Sequence, residues 1–435
     1  MSNPDNSLRY RLRLIWAYKD VLRNHFPPVF RWYVRRFRAA QLKAARRLRD
    51  KERIEVAFFL TIPGMWKSDY LFEALRQHPR YHPYVVIYPY SYYKGFNASE
   101  VEATLKRTER FIADKGFEYV IPYDEKRRRW QPVRKTLHPD IVVFTTPYKD
   151  IPSKYFIYAF RDVLTCYVPY GFTSLRMFHV NYDLIFHNLV GLHFVETEIH
   201  RRQAEDCSRN HGENVVVSGY PGTEVFLRPD YTPRDVWKPQ PHRKKRLIWA
   251  PHHSLEGNPA LSTFLLYCDR MPEWAARYKD DIQLVFKPHP LLKFKLQQLW
   301  GAERTEAYYR QWDAMENAQL EESSYVDLFL TSDAMIHDCG SFTTEYLFVN
   351  KPVMYLVKDE EFASCFCPFG LMSFQKHYIG RSEADVTHFM EEVLIQGKDV
   401  MAEERRRFFE EYLAPREGKL PSERIIQLLE EFQNK

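Results

Sequence analysis

Short apolar runs alternate with longer polar, helix-periodic stretches along most of this 435-residue chain, and this alternation constrains the fold more than any other feature. The first series predicts helices at 69–77 and 100–115 and strands at 54–61, 84–88, 119–121, 141–145, 165–169, 184–188, 193–195 and 215–218. After a proline-bearing stretch, the second series predicts strands at 247–250, 282–287, 333–337 and 353–357. This pattern indicates an α/β chain with two parallel sheets joined by a linker.

Basic residues are concentrated at the start of the chain. Residues 1–53 hold 15 Lys or Arg against four acids, a charge of +11, so the formal charge of +6 leaves −5 on the rest. Apolar residues recur at helical spacing on both sides of Pro27-Pro28, with arginines on the other faces. This favours a helical arm on an anionic membrane surface. A helix packed on its own body is the alternative, and we predict no nucleic-acid partner.

The predicted domains follow from these boundaries: a basic helical arm at 1–53, an N-terminal Rossmann-like acceptor domain at 54–227, a linker at 228–245, a C-terminal Rossmann-like donor domain at 246–395 and a helical tail at 396–435. No apolar run reaches the ~18 residues of a membrane span. Six scattered cysteines fit a reducing compartment and predict no metal site. We therefore expect a cytoplasmic protein, peripheral on the inner face of the cell membrane.

Three polar segments directly follow strands of the second series: His252-His253, Lys287-Pro288-His289 and the run from Asp338 to Glu345. Ligands of parallel sheets bind beyond the carboxyl ends of the strands, so we expect these segments to meet. Backbone N–H groups at the Gly340–Ser341 turn can bind phosphate, although an ordinary serine N-cap is the alternative. The predicted nucleotide or phosphate contacts are Lys287, Asp338, Gly340, Ser341, Phe342, Thr343, Thr344 and Glu345.

The histidines are the predicted catalytic groups of this half of the chain. An imidazole at His289 can donate to a leaving phosphate, and His252 and His253 can act in the same way, with structural loop histidines as the alternative. The chain has no Walker loop, Gly-x-Ser-x-Gly, His-Glu-x-x-His or Asp-x-Asp sequence. We therefore predict no cofactor and a metal-independent reaction on a nucleotide-diphosphate donor.

Four segments, in this order, resemble the CDP-glycerol glycerophosphotransferases of teichoic-acid synthesis: SGYPGTEVF (218–226), LIWAPHHS (247–254), LVFKPHP (284–290) and SDAMIHDCGSFTTEYLFVNKPVMYL (332–356). The resemblance implies the GT-B architecture, two facing Rossmann-like domains with a CDP-linked donor in the C-terminal one. It also implies that His289 assists CMP departure, that Ser341 binds diphosphate and that Glu345 binds ribose. The last segment is equally similar to the Asp-Ser-Gly-Gly-x-x-x-Glu motif of UDP-GlcNAc 2-epimerases.

The acceptor side departs from that family. Its Trp-His-Gly-Thr segment, whose histidine is the base toward the acceptor hydroxyl, corresponds here to 168–173, with Tyr170 in place of histidine. A tyrosine with a pKa of about 10 is a poor base at neutral pH. The other candidate bases are Asp69, His179 and Asp183, and the remaining predicted acceptor-side residues are Gly64, Lys67, Gly171 and Thr173.

The predicted function is transfer of glycerol phosphate, or a related polyol phosphate, from a CDP-activated donor to a lipid-linked or glycan acceptor at the membrane. A GT-B glycosyltransferase with a UDP- or CMP-sugar donor is the first alternative. A UDP-GlcNAc 2-epimerase-like isomerase and a non-catalytic scaffold are the others. We make no prediction of the oligomeric state.

Overall fold

The computed structural model describes residues 26–89, 98–149, 151–256, 260–322, 325–358 and 360–435, so the first 25 residues of the predicted arm lie outside the described residues. The strands, in chain order, are β1 Ile54–Leu60, β2 Tyr81–Ile87, β3 Tyr119–Val120, β4 Tyr123–Asp124, β5 Arg129–Trp130, β6 Ile141–Phe144, β7 Leu164–Tyr167, β8 Leu192–Val195, β9 Val215–Val217, β10 Lys245–Ala250, β11 Ile282–Phe286, β12 Ala318–Leu320, β13 Ala334–His337, β14 Val353–Leu356 and β15 Tyr378–Gly380.

The α-helices connect these strands. They are α1 Pro27–Arg46, α2 Asp69–Gln77, α3 Ala98–Ala113, α4 Val133–Thr136, α5 Phe178–Tyr182, α6 Ile185–Leu189, α7 Glu198–Cys207, α8 Phe264–Tyr267, α9 Arg270–Arg277, α10 Leu292–Trp300, α11 Ala302–Ala314, α12 Val326–Thr331, α13 Phe342–Glu345, α14 Pro368–Phe374, α15 Glu383–His388, α16 Ala402–Phe408 and α17 Pro421–Gln433. No helix among the described residues is long and apolar enough to cross a membrane.

The chain divides into two compact units. Unit 1 comprises Met1–Gly171, Phe178–Gly222 and Lys419–Lys435, and unit 2 comprises Phe172–Met177 and Thr223–Gly418. The described part of the predicted arm therefore belongs to unit 1. The stretch predicted as a linker belongs to unit 2, and the predicted helical tail is divided after residue 418.

Unit 1 is built on a seven-stranded parallel sheet with the order β3-β2-β1-β6-β7-β8-β9. The order reverses between β1 and β6, where Val56 lies opposite Ile141. Aromatic rings fill the core beside this pair, because Phe59 contacts Phe144 and Phe160 with centroids 5.3 and 5.2 Å apart. Burial on both faces explains why the strands are continuous apolar runs in the sequence.

Helix α1 packs its apolar stripe into unit 1. Phe30 and Phe37 are buried, and the buried Gln41 side chain donates to the carbonyl of Val163 (2.8 Å) and accepts from the Thr165 N–H (2.8 Å). The outward face is instead basic, with Trp32 55% exposed. The sequence allowed two interpretations of this helix, a helix on a membrane surface and a helix packed on its own body. The apolar stripe is packed on the body, and the arginine-bearing face is open to solvent.

Unit 2 is built on a six-stranded parallel sheet with the order β12-β11-β10-β13-β14-β15. The order reverses between β10 and β13, where Ile248 lies opposite Met335. Trp249, on β10, contacts Phe264 and Phe286 with ring centroids 5.6 and 5.0 Å apart. A reversal point of this kind places the ligand site at the carboxyl ends of β10 and β13.

One of our secondary-structure predictions differs from the structure. The apolar run at 184–188, predicted as a strand, is helix α6, all of whose residues are buried. A buried run this short carries no periodicity that separates strand from helix. The proline-bearing stretch at 228–245 is irregular but anchored, because the Tyr231 hydroxyl donates to Asp327 (2.6 Å) and the Trp237 indole to Thr331 (2.8 Å).

Candidate active site

Three histidine side chains meet at the carboxyl ends of β10 and β11. His252 and His253 follow β10, and His289 follows β11 after Lys287-Pro288. Because β10 and β11 are hydrogen-bonded neighbours, the loops that follow them are adjacent. The ring centroids lie 4.2 Å apart for His252 and His253, 5.0 Å for His252 and His289, and 4.1 Å for His253 and His289. The sequence therefore predicted this convergence correctly.

The hydrogen bonds of His252 define its protonated nitrogen. Its Nδ1 atom lies 2.8 Å from the Ser254 Oγ atom and accepts from the Ser254 backbone N–H at 3.2 Å. The same Oγ accepts from the Leu261 N–H (3.0 Å), so the Ser254 hydroxyl proton is free to point at Nδ1. Neutral imidazole has one N–H and one lone pair. With the lone pair at Nδ1, His252 carries its proton on Nε2.

His289 has the same tautomer. Its Nδ1 atom accepts from the Leu291 N–H at 3.1 Å, which leaves Nε2 as the N–H donor. Its backbone is fixed by its own N–H, which donates to the Pro251 carbonyl at 3.0 Å, and by its carbonyl, which accepts from the Leu292 N–H at 2.8 Å. Two of the three imidazoles thus offer an N–H donor from a constrained backbone.

The imidazoles are neutral at physiological pH. Burial, followed by the neighbouring rings of His253 and His289, lowers the pKa of His252 to about 2. Burial, followed by His253 and Lys287, lowers the pKa of His289 to about 3. Burial and then Lys295 also lower the pKa of His253. The nearby Lys287 and Lys295 therefore supply positive charge, while the histidines supply neutral donors.

The same three side chains are the cluster among the described residues that has metal-ligand spacing, with one ring nitrogen of each within 4.8 Å of the others. A metal ligand needs an unprotonated ring nitrogen, and the tautomers of His252 and His289 place the proton on Nε2. An anion needs N–H donors instead. The hydrogen bonding therefore suits a phosphate oxygen better than a metal cation.

The turn after β13 lies beside the reversal point of the sheet. Gly340 and Ser341 connect β13 to the short helix α13, and Ser341 is half-buried. A Cβ atom on Gly340 would lie 3.2 Å from the Leu175 side chain, so that side chain covers the glycine. The Leu175 side chain thus approaches the backbone of this turn on one side.

The two threonines of this segment are buried and already have partners. The Thr343 hydroxyl donates to the Cys339 carbonyl at 2.9 Å, and the Thr344 hydroxyl donates to the Ser373 Oγ atom at 2.9 Å. The Phe342 ring packs on Tyr325, with centroids 5.1 Å apart. Among the hydroxyls predicted to bind phosphate, Ser341 is therefore the one best placed to do so.

Glu345 is held by a residue that the sequence reasoning missed. It is 2% exposed, and the Tyr325 hydroxyl donates to its Oε2 atom at 2.5 Å. Tyr325 precedes helix α12 and is separated from Glu345 by 20 residues, so no local pattern connects them. That Glu345 binds ribose stays a prediction.

Asp338 is almost fully buried, with 1% of its surface exposed. Its Oδ1 atom accepts from the His252 N–H (2.5 Å), and its Oδ2 atom accepts from the Thr263 N–H (2.5 Å) and hydroxyl (2.8 Å). Burial raises the pKa of Asp338 to about 6, and these hydrogen bonds lower it in part. Thr263, like Tyr325, was not singled out from the sequence.

The predicted acceptor-side residues of unit 1 follow two strands: Gly64, Lys67 and Asp69 follow β1, and Tyr170 and Gly171 follow β7. The Asp69 carboxylate accepts from the Trp66 indole N–H at 2.7 Å and pairs with Lys115 at 2.9 Å. The Tyr170 hydroxyl lies 3.4 Å from the Tyr148 hydroxyl. A Cβ atom on Gly64 or on Gly171 would have no heavy atom within 4 Å among the described residues, apart from its own chain neighbours. Lys67, on the loop after β1, is half-buried.

His179 and Asp183, the other candidate bases, form a pair. The His179 Nδ1 atom lies 3.6 Å from the Asp183 Oδ2 atom, and the imidazole is 69% exposed. Asp183 is itself held by Arg209 and by the Asn188 amide, each at 3.0 Å. The choice among these bases stays a prediction.

The segment Phe172–Met177 belongs to unit 2 and packs beside α14. The Cys367 N–H donates to the Ser174 carbonyl at 2.9 Å, and Phe172 stacks on Phe369 with centroids 5.7 Å apart. The Ser174 Oγ atom lies 3.2 Å from the Thr344 Oγ atom. Thr173, predicted on the acceptor side, therefore lies in the unit that holds the three histidines.

Residues 191–431 match the family described as CDP-glycerol:poly(glycerophosphate) glycerophosphotransferase. A search of curated protein sequences found no significant match.

Solved structures share the fold. The S. aureus MnaA–UDP co-structure is 16% identical, with 88% of this chain and 97% of that chain covered and a TM-score of 0.54. A putative UDP-N-acetylglucosamine 2-epimerase from Listeria monocytogenes is 14% identical, with 88% of this chain and 98% of that chain covered and a TM-score of 0.51. A variant of the wall teichoic acid polymerase TagF is 14% identical, with 97% of this chain and 98% of that chain covered and a TM-score of 0.51. At these identities the likeness extends to the fold, which is that of GT-B proteins.

Proposed function

Because this chain belongs to the CDP-glycerol:poly(glycerophosphate) glycerophosphotransferase family and is a transferase, we propose that it moves glycerol phosphate from CDP-glycerol to a glycan acceptor. An acceptor hydroxyl oxygen attacks the phosphorus that bears the glycerol. The bond from that phosphorus to the bridging oxygen breaks, and CMP leaves with the electron pair. The hydroxyl proton passes to a base.

The observation that carries the proposal is the pair of Nε2–H donors on His252 and His289 beside Lys287. Negative charge develops on the departing CMP phosphate, and donors fixed in advance stabilise that charge without reorganisation. Ser341 and the backbone of the Gly340 turn add donors for the diphosphate, and Glu345 accepts from the ribose. In this proposal, protein donors do the work that a metal ion does in other nucleotide-diphosphate enzymes.

We extend the proposal to the place where the enzyme works. The exposed face of α1 carries Arg31, Arg35 and Arg36, with the Arg36 guanidinium 4.9 Å from the Trp32 ring centroid. Arginine with an interfacial tryptophan suits an anionic lipid surface. The acceptor is then lipid-linked, and the protein is peripheral on the cytoplasmic face of the cell membrane.

A thermal-shift panel tests the donor. Full-length protein is heated with CDP-glycerol, CDP-ribitol, CMP-sugars or UDP-sugars, because a ligand that binds the native state raises its melting temperature. The proposal expects the largest shift with CDP-glycerol, which at 100 times its Kd stabilises by about 2.7 kcal/mol. A larger shift with a UDP- or CMP-sugar would instead support a glycosyltransferase or an epimerase-like enzyme. No shift with any nucleotide would overturn the enzymatic proposal.

A further inference from the structure

The carboxylate of Asp338 has little surface left for a ligand. It is 1% exposed, and its three hydrogen-bond partners are all donors from the chain itself: the His252 N–H, the Thr263 N–H and the Thr263 hydroxyl. A carboxylate in such a setting satisfies buried N–H groups of its own protein. The position of Asp338 at the carboxyl end of β13 therefore has a reason other than contact with a nucleotide.

The three donors to Asp338 belong to two residues, His252 and Thr263, which lie at opposite ends of one loop. His252 lies near the start and Thr263 at the end of the segment between β10 and α8, which has no regular secondary structure in its described residues, 251–256 and 260–263. Inside the loop, the Ser254 carbonyl accepts from the Ser262 N–H at 3.2 Å. One carboxylate thus fixes both ends of the loop that carries two of the three clustered histidines.

We propose that Asp338 is a positioning residue that holds His252 and Thr263, at the two ends of this loop, so that His252 and His253 stay next to His289, and that it does not contact the nucleotide. The inference rests on the proposed function, because it assigns those histidines to a phosphate. Side chains that orient the groups touching a ligand affect binding strongly although they never touch it. The effect should therefore appear at the phosphate-binding groups and not at the nucleoside.

The test uses full-length protein with ¹⁵N-labelled histidine, and inorganic pyrophosphate as the probe. In Asp338→Asn an amide N–H₂ replaces an acceptor, so at least one backbone N–H loses its partner. We expect the ring resonances of His252 to shift and the Kd for pyrophosphate to rise at least about tenfold. Thr263→Val removes only the hydrogen bond from the Thr263 hydroxyl to Asp338, so it should shift the same resonances less. If Asp338→Asn does not fold, Thr263→Val is the variant that tests the inference.

Asp327→Asn is the matched control. Asp327 is also buried and also accepts from three donors, the Tyr231 hydroxyl and two N–H groups of Arg234, but these hold the 228–238 stretch. It should leave the histidine resonances and the pyrophosphate Kd unchanged.

The outcomes separate the inference from the function on which it rests. Unchanged His252 resonances in Asp338→Asn would overturn the positioning role, as would loss of cytidine binding in that variant with pyrophosphate binding intact. If wild-type protein binds no pyrophosphate, the proposed function fails, and the resonances still decide whether Asp338 positions the loop.

Discussion

At the residue scale, the main property of the site is that its imidazoles are uncharged and that two of them, His252 and His289, are N–H donors. Their tautomers follow from backbone N–H groups two residues further on, at Ser254 and Leu291. The sequence predicted that the His289 imidazole donates to a leaving phosphate, and because burial keeps its pKa at about 3, it would do so as a neutral ring. Positive charge at the site comes from lysine, so donor binding should not require a protonated histidine.

Asp338 gives a pH prediction at this scale. Burial raises its pKa to about 6 in the folded state, so the folded state binds a proton more tightly than the unfolded chain does. The proton on Asp338 therefore adds to the free energy of unfolding. This contribution is fully present below about pH 4 and is lost as the pH rises through about 6, so the free energy of unfolding falls by about 3 kcal/mol. Chemical denaturation at pH 4, 5, 6 and 7 measures it as the difference between wild type and Asp338→Asn. A difference that does not vary with pH would contradict the burial argument.

Individual contacts of the site were beyond sequence reasoning for a physical reason. Position after a strand was enough to predict that His252, His289 and the Asp338 segment converge, because parallel strands share one ligand edge. The partners of Asp338 lie 86 and 75 residues away, and hydrogen bonds at such separations leave no local pattern. Likewise, nothing in the spacing of Thr343 and Thr344 shows that their hydroxyls turn inward.

At the element scale, the central strands of each sheet were easier to predict from the sequence than the edge strands. The central strands β1, β10 and β11 are buried on both faces and read as apolar runs. The edge strands β12 and β15 are three residues long and half-buried, so they carry no such signal. The predicted arm shows the same limit, since an amphipathic stripe fits a bilayer and a protein core equally well.

The Phe172–Met177 segment gives an element-scale prediction. A Cβ on Gly370 would lie 1.9 Å from the Ser174 carbonyl oxygen, a backbone atom that cannot swing aside. We expect Gly370→Ala to destabilise the protein by about 2–3 kcal/mol, as overpacking does. Gly171→Ala is the control, since in the described part of the chain no residue other than its two neighbours comes within 4 Å of the added Cβ. Thermal unfolding compares them, and equal melting temperatures would show that the segment does not pack beside α14.

The exposed face of α1 gives a second prediction. Because the apolar stripe of this helix is core, deleting the arm would damage unit 1, and charge reversal is the cleaner test. Arg31, Arg35 and Arg36 changed together to Glu should weaken binding to phosphatidylserine vesicles by about 3 kcal/mol or more, roughly 100-fold. The same change at Lys126, Arg127 and Arg129, exposed on the β4–β5 hairpin, is the matched control. Equal sedimentation of both variants would contradict a membrane role for α1.

At the scale of the whole molecule, buried histidines should make the protein sensitive to acid. His187, His193, His337 and His377 are buried, and burial lowers the pKa of each, to about 3 for His193 and His377. The unfolded chain binds these protons near pH 6.5 and the folded chain does not. Stability is therefore present above pH 6.5 and is lost as the pH falls, by about 1.4 kcal/mol per pH unit for each histidine.

Melting temperature measured from pH 8.5 to pH 4.5 checks this prediction. We expect a shallow curve above pH 6.5 and a steep fall below it, which outweighs the opposite contribution of Asp338. His193→Gln, neutral at every pH, should reduce the slope below pH 6.5 by about one proton. A flat curve, or a slope unchanged in the variant, would contradict the account of buried neutral imidazoles.

The distribution of charge also belongs to this scale. The chain's +6 is a basic arm on a slightly acidic remainder, so overall charge says little about the active site. There, we propose a local phosphate site made of two lysines, Ser341 and three neutral imidazoles. The central claim is that this site transfers glycerol phosphate.

Turnover of CDP-glycerol by the full-length protein, with an acceptor that ends in glycerol phosphate, tests that claim most directly. We predict one CMP released for each glycerol phosphate added to the acceptor. His289→Ala should lower kcat about 100-fold or more at an unchanged melting temperature, whereas His388→Ala, an exposed histidine of α15, should not. CMP release without acceptor growth, or wild-type kcat in His289→Ala, would contradict the account.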